Sequence, residues 1–369
     1  MLLRYSVICS VVFALYCNDL FGQSLPQVTA DPISLQLLPN EDLGITHSSP
    51  LVLQRTDPDK FQSPLFRVIF MENETVAIEL TDTRLPFSEV AKRRKKTDIH
   101  MEGTSADYLR RFQMPGHLPS NVGVSLAVTT QFKNKNYALL TYRESEKKLM
   151  LLSGYVDSSA LGTHDSASIF WSNVFKEASE ELLLIGRDRL PLNLVARHES
   201  GFCAPVRQAY SSIAYSEHSM ILSKRKNPKF LTNVLPAVMC DGQKLDACLQ
   251  FARTWDSVQL IFSFELLIDE SEMNFLFHAE DRLTKGKTAF ELVTVLNRNG
   301  LVLAELDEDE GLSDRLFWLH DGQLSAVDFD LRETWLSEAF IPGDADSIRG
   351  LVESDKIRYS DYLIGIAER

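Results

Sequence analysis

Several features are missing from this sequence, and each absence removes a class of protein. No uninterrupted apolar stretch reaches the roughly 18 residues that a membrane-crossing helix needs, which excludes a polytopic membrane protein. Cysteines number five and no C-x-x-C occurs, which argues against a disulfide scaffold and a cysteine-based zinc site. Positive charge is in deficit: Lys+Arg total 38 against Asp+Glu 51, a formal charge of −13. Nothing global therefore recruits nucleic acid or anionic lipid, and an anionic small molecule would need a cation to bridge it to the protein. Internal repeats and low-complexity tracts are absent. What remains is 369 residues, 44% hydrophobic and 24% charged, enough for a sizeable core. At roughly 150 residues per domain this is two domains, or one with large insertions.

Met1-Leu2-Leu3-Arg4 followed by the uncharged segment Tyr5 to Cys17 has the layout of a targeting signal. A cleaved secretory signal is one reading; an uncleaved anchor or a misassigned start is the other. The first places the protein in the secretory pathway or outside the cell, and without a genuine leader it is cytoplasmic. Removing the leader takes Cys9 and Cys17 and leaves Cys203, Cys240 and Cys248, as one pair with a free thiol or as three thiols.

Along the chain, Leu65–Phe70 and Thr75–Leu80 flank Glu72-Asn73-Glu74 as a strand hairpin. Phe87–Lys96 reads as a helix ending in a basic run, a solvated helix end or a phosphate-steering patch. Asn121–Thr130, Tyr137–Arg143, Leu190–Ala196 and Val258–Ile268 read as strands, and Ile169–Leu184 is the best helix. Residues 203–253 lack strand alternation and look like an insertion. Thr288–Arg298 reads as a helix stopped by Asn299-Gly300, Leu301–Glu305 as a strand, and Leu316–Val327 as a hairpin around Asp321-Gly322.

The helix carries the chemistry. Trp171, Val174, Phe175, Ala178 and Leu182 share a broad apolar face, while Glu177, Glu180 and Glu181 stand at i, i+3 and i+4 on another. Carboxylates that close repel one another unless a cation sits among them or water screens them. Their oxygens are hard ligands, suited to Mg²⁺ or Mn²⁺. The plain alternative is a solvated acidic helix face.

A strand pair, a glycine loop, an acidic helix and a further strand resemble the Nudix hydrolase family. Lys176-Glu177-Ala178-Ser179-Glu180-Glu181 is similar to the helical half of the family's box, with Lys in the place of Arg, and Gly154 matches its opening glycine. The likeness covers roughly residues 65–200 and 255–268 and leans toward the UDP-glucose diphosphatase type. It departs from the pattern in three ways. The Gly154-to-Glu177 spacing is long, so about Ser158 to Ser168 must loop out; the spacer glutamate is missing; and Leu183 stands where a glycine belongs. Lys176 also cannot make the bidentate fork of an arginine.

The resemblance implies an α+β fold: a Nudix-like α/β/α sandwich with a mixed β-sheet, an N-terminal extension and insertions. Residues 1–22 would be the signal or anchor, 23–115 an extension with the hairpin, 116–305 the Nudix-like domain with 203–253 inserted, and 306–369 an accessory segment. It implies cleavage of the diphosphate bond of a nucleoside diphosphate derivative, such as a UDP-sugar, with Mg²⁺ or Mn²⁺. Glu177, Glu180 and Glu181 would hold the metal; Glu181, Glu177 and Lys176 would be catalytic; Gly154 and Arg197 would meet the phosphates. Glu199 and Glu265 are candidates for a further ligand or base. The competing expectations are a non-catalytic Nudix-like module acting as an exported binding protein, and a secreted α+β interaction domain whose acidic helix is solvated. Gly286-Lys287-Thr288 is no phosphate loop, because Asp281 occupies the first glycine position. His198-Glu199 begins a zinc-protease motif that Phe202 breaks.

Overall fold

The computed structural model describes residues 52–55, 62–70, 75–86, 89, 121–143, 148–156, 166–197, 201, 203–206, 208–210, 214–231, 237–240, 242–251, 257–285, 290–297, 300–328, 341–342 and 358–359. The N-terminal leader, nearly all of the Phe87–Lys96 helix, Glu199 and Gly286-Lys287-Thr288 lie outside them. No helix among the described residues is long and apolar enough to cross a membrane.

The centre is a strand pair that the sequence marks plainly. β4 (Asn121–Phe132) runs parallel to β15 (Ser257–Leu267) over ten residues, from Asn121 opposite Ser257 to Thr130 opposite Leu266. Both are buried on both faces, which explains their near-continuous apolar runs. Val122, Val124, Leu126 and Val128 join the main core with Leu260, Phe262 and Phe264. Ala127 and Ile261 point to a second core with Ala138 and Leu140.

The free edge of β4 is shared. Its second half pairs with β5 (Lys135–Arg143), from Val128 opposite Leu139 onward. Its first half pairs with β7 (Leu152–Tyr155), with Val124 opposite Gly154. Between them, β6 (Lys148–Met150) pairs with the end of β5. The large sheet continues through β18 (Leu301–Leu306), β19 (Leu312–His320) and β20 (Gln323–Asp328), the last two joined at Asp321-Gly322 with positive φ at both. On its other side lie β11 (Ser219–Lys224), β9 (Asn193–Arg197) and β10 (Cys203–Pro205). Two smaller sheets accompany it. β1 (Val52–Arg55), β17 (Phe290–Asn297), β16 (Phe275–Lys285) and β8 (Leu182–Ile185) form one. β13 (Gln243–Leu245), β12 (Ala237–Cys240), β3 (Thr75–Pro86) and β2 (Gln62–Phe70) form the other.

This architecture corrects the expected α/β/α sandwich. Among the described residues one α-helix, α1 (Ser166–Glu181), accompanies a chain otherwise built of strands, so no second helical layer faces it. Thr288–Arg298, expected to be helical, holds β17. Leu292, Val293, Val295 and Leu296 fit a helical face as well as a strand, and pairing from His278–Lys285 decides for the strand. Residues 203–253, read as an insertion without alternation, contribute five strands, β10 to β14 (Cys248–Phe251). None exceeds six residues, too short for a period of two to stand out. Among the described residues Cys203, Cys240 and Cys248 form no disulfide with one another; Cys203 is exposed, and burial pushes the Cys248 thiol up to about 12.

Two charge clusters, Lys224-Arg225-Lys226 and Asp307-Glu308-Asp309-Glu310, serve the fold. Asp307 closes the acidic turn between β18 and β19 by accepting from the Asp309 and Gly311 N–H groups. Arg225 ties that turn to β4, donating to Glu310 at 2.6 Å and to Thr129. Lys224 pairs with Asp246 at 2.9 Å and lies 4.2 Å over the Trp171 ring.

Candidate active site at the junction of helix α1 and strand β7

Ile169, Phe170, Val174 and Ala178 turn one face of α1 into the main core, with Trp171 and Phe175 partly buried beside Phe262 and Phe264. That packing fixes the rotation of the helix and so the direction of its acidic side. The helix ends at Glu181, earlier than the sequence suggests. Leu182-Leu183-Leu184-Ile185 leaves as β8 because all four residues are buried against β16, with Leu182 opposite His278. Tyr210 caps the helix end by donating from its hydroxyl to the Glu180 carbonyl at 2.7 Å.

The three glutamates are not a solvated face. The Glu177, Glu180 and Glu181 side chains retain 9%, 14% and 19% of their exposure. They also occupy the end of the helix where the macrodipole is negative. No basic residue stands in the last turn, and each acidic residue there costs about 0.3–1 kcal/mol when exposed. Lys176 offsets part of this. Its ammonium lies 3.8 Å from Glu177 and 3.4 Å from Glu180. Glu181 turns to β7, where its carboxylate accepts from the Ser153 N–H at 3.1 Å.

Gly154 belongs to this junction, although not as the turn the sequence suggested. It lies within β7, and a Cβ built on it would meet the Glu177 carboxyl group at 1.9–2.2 Å. The space left by the missing side chain is filled by that carboxyl rather than left open to a phosphate. The glycine is required for close approach, not for backbone conformation.

His278 is the residue that sequence reasoning missed. It shares a face of the small sheet with Leu182 and brings its Nε2 to 3.9 Å from Glu181 Oε2. That nitrogen is buried and has no hydrogen-bond partner among the described residues, an omission that costs about 1–3 kcal/mol. Nothing local marks it, because it is a lone polar residue in the apolar run Phe275-Leu276-Phe277-His278-Ala279.

Arg197 is not brought to this site. It ends β9 opposite Ser223, and β11, β15 and β4 intervene before β7. At a strand spacing of about 4.8 Å, that is on the order of 20 Å away. Glu265 is exposed on β15, opposite Thr129 rather than Val124.

The fit to a hard dication is divided. Three carboxylates and an orphaned buried imidazole nitrogen are donor types that a dication accepts. As arranged, the carboxylates do not converge: among the described residues no group of three or more His, Cys, Asp or Glu side chains is placed to hold a metal ion. Lys176 balances two of them, and Ser153 holds the third.

No family model matches the sequence, and no curated protein is similar to it. Among solved structures there is a weak likeness to a MutT/nudix family protein from Enterococcus faecalis, at 12% identity and a TM-score of 0.18. It covers 58% of this chain and 66% of that one. A likeness of this size carries no weight for fold or chemistry, so the functional reading rests on the junction itself.

Proposed function

We propose that the chain is a Nudix-type hydrolase that cleaves the diphosphate bond of a nucleoside diphosphate derivative, with UDP-sugars among the candidate substrates. One observation carries this reading. Glu177, Glu180 and Glu181 are drawn into the α1–β7 junction against the helix dipole instead of being left in solvent. A fold serves its own stability by avoiding that arrangement, so a rule broken in this way marks a functional site.

Glu177, Glu180 and Glu181 would hold a dication, Mg²⁺ or Mn²⁺. When bound, it supplies charge neutralisation for the diphosphate and for the charge that develops in the reaction. The chain's own residues do the rest. Gly154 lets Glu177 lie against β7, the Ser153 N–H orients Glu181, and Lys176 offers an ammonium to a phosphate oxygen.

The test is monophosphate release from a panel of nucleoside diphosphate derivatives, with and without Mg²⁺. Glu181→Gln keeps the bond from Ser153 and removes the charge. Turnover is expected to fall at least about a hundredfold. Undiminished turnover in the variant would remove Glu181 from the reaction.

A second reading, a module that binds such a ligand without turning it over, is favoured by the Lys176 ion pairs and the unconverged carboxylates. Calorimetry would then show saturable binding while the same panel yields no product.

A further inference from the structure

We infer that Lys176 is a tethered counter-cation that holds the acidic turn in its resting arrangement and must leave before a dication can enter. The inference rests on the hydrolase reading of the same junction and deepens it by naming what regulates the site. Three mostly buried carboxylates crowd the last turn of α1, where the helix dipole is also negative. Charges taken out of water in this way need a counter-charge close by. Lys176 supplies it, with its ammonium 3.8 Å from Glu177 and 3.4 Å from Glu180. The order is the weaker one for a helix, since a lysine one turn before a glutamate opposes the dipole. The pairing therefore serves the junction rather than the helix. In this arrangement the carboxylates stay apart, and among the described residues no group of three or more His, Cys, Asp or Glu side chains is placed to hold a metal ion. Lys176 is also the charge that can move. Glu177 is lodged against Gly154 and Glu181 accepts from the Ser153 N–H, whereas the Lys176 side chain is 22% exposed. Its ammonium is a point charge on a flexible stem, without the rigid fork of an arginine, so it can turn out to a phosphate oxygen. The His278 Nε2, buried and without a hydrogen-bond partner among the described residues, faces the same turn, so the resting arrangement leaves a polar group unmet. An ammonium and a dication cannot share the same carboxylates. Each weakens the other's hold, and a diphosphate that draws Lys176 away favours the dication.

The test is titration calorimetry of the full chain with Mn²⁺ alone, with thermal unfolding as a second readout. Lys176→Met is expected to melt below the wild type without dication and to bind Mn²⁺ at least about fivefold tighter than the wild type. Lys176→Gln takes its place if the methionine variant does not fold. Lys176→Arg, which keeps the charge, is expected to show no gain. Neither should Lys229→Met, which removes the same charge from the exposed pair with Asp309. Adding Glu177→Gln to Lys176→Met should cancel the gain, which locates it at these carboxylates. A folded Lys176→Met that binds Mn²⁺ no more tightly than the wild type overturns the inference, and Glu181-dependent binding by that same wild type leaves the hydrolase reading intact. A gain matched by Lys229→Met overturns the inference as well, as an effect of net charge alone. Absence of Mn²⁺ binding in the wild type and the Lys176 variants alike overturns both.

Discussion

Phe170→Ala is expected to cost about 3–5 kcal/mol of folding stability, the range for removing a fully buried aromatic ring. Phe170 has no exposure and its ring centroid lies 5.1 Å from that of Phe66, at 37°. Phe66 belongs to β2, so this contact joins the helix of the candidate site to the β2–β3 hairpin. The lost ring leaves a cavity between two elements that meet from different parts of the chain, and neither can collapse into it without shifting the other. Equilibrium unfolding in urea, followed by tryptophan fluorescence, measures the loss as a lower midpoint at unchanged slope. A cost below about 1 kcal/mol would mean that this face of α1 does not pack as described.

Gly154→Val is expected to destabilise by about 3 kcal/mol, at the upper end for overpacking, and to abolish turnover. Valine is otherwise favoured in a strand, and Gly154 shows no positive φ that a side chain would strain. The whole penalty therefore comes from the Glu177 carboxyl, which sits where the new Cβ must go. Cutting that carboxyl away should remove the penalty. In a Glu177→Ala background, Gly154→Val is expected to cost less than about 1 kcal/mol, a coupling of a size seen between residues in direct contact. Additive costs in the double-mutant cycle would show that the glycine is needed for some other reason.

The parts of the fold that can be read from the sequence are those buried on both faces. Asn121–Thr130 and Val258–Ile268 carry long apolar runs because each lies in the centre of the large sheet, and both are strands. The Asp321-Gly322 hairpin is legible because its turn needs residues that accept positive φ. The failures have a common cause. Where a segment fits two periods, the partner decides, and the partner is far away in sequence. β17 became a strand because β16 pairs with it, and Leu182–Leu184 left the helix for the same strand. β16 gave no signal that placed it beside the helix, and that is why His278 was missed. The acidic cluster was legible as residues, but not as an arrangement. Its spacing shows which carboxylates lie together, while Lys176 and Ser153 determine where each one points.

The central claim is that these carboxylates form a site that takes up a dication, and thermal unfolding with and without Mn²⁺ or Mg²⁺ tests it most directly. A ligand that binds only the folded chain stabilises it by about 2.7 kcal/mol at a hundred times its dissociation constant, so the transition should rise with dication concentration. Glu177→Gln and Glu181→Gln should each flatten that rise while leaving a cooperative transition. A wild-type transition indifferent to both ions, or a rise equal in the wild type and the two variants, would contradict the account.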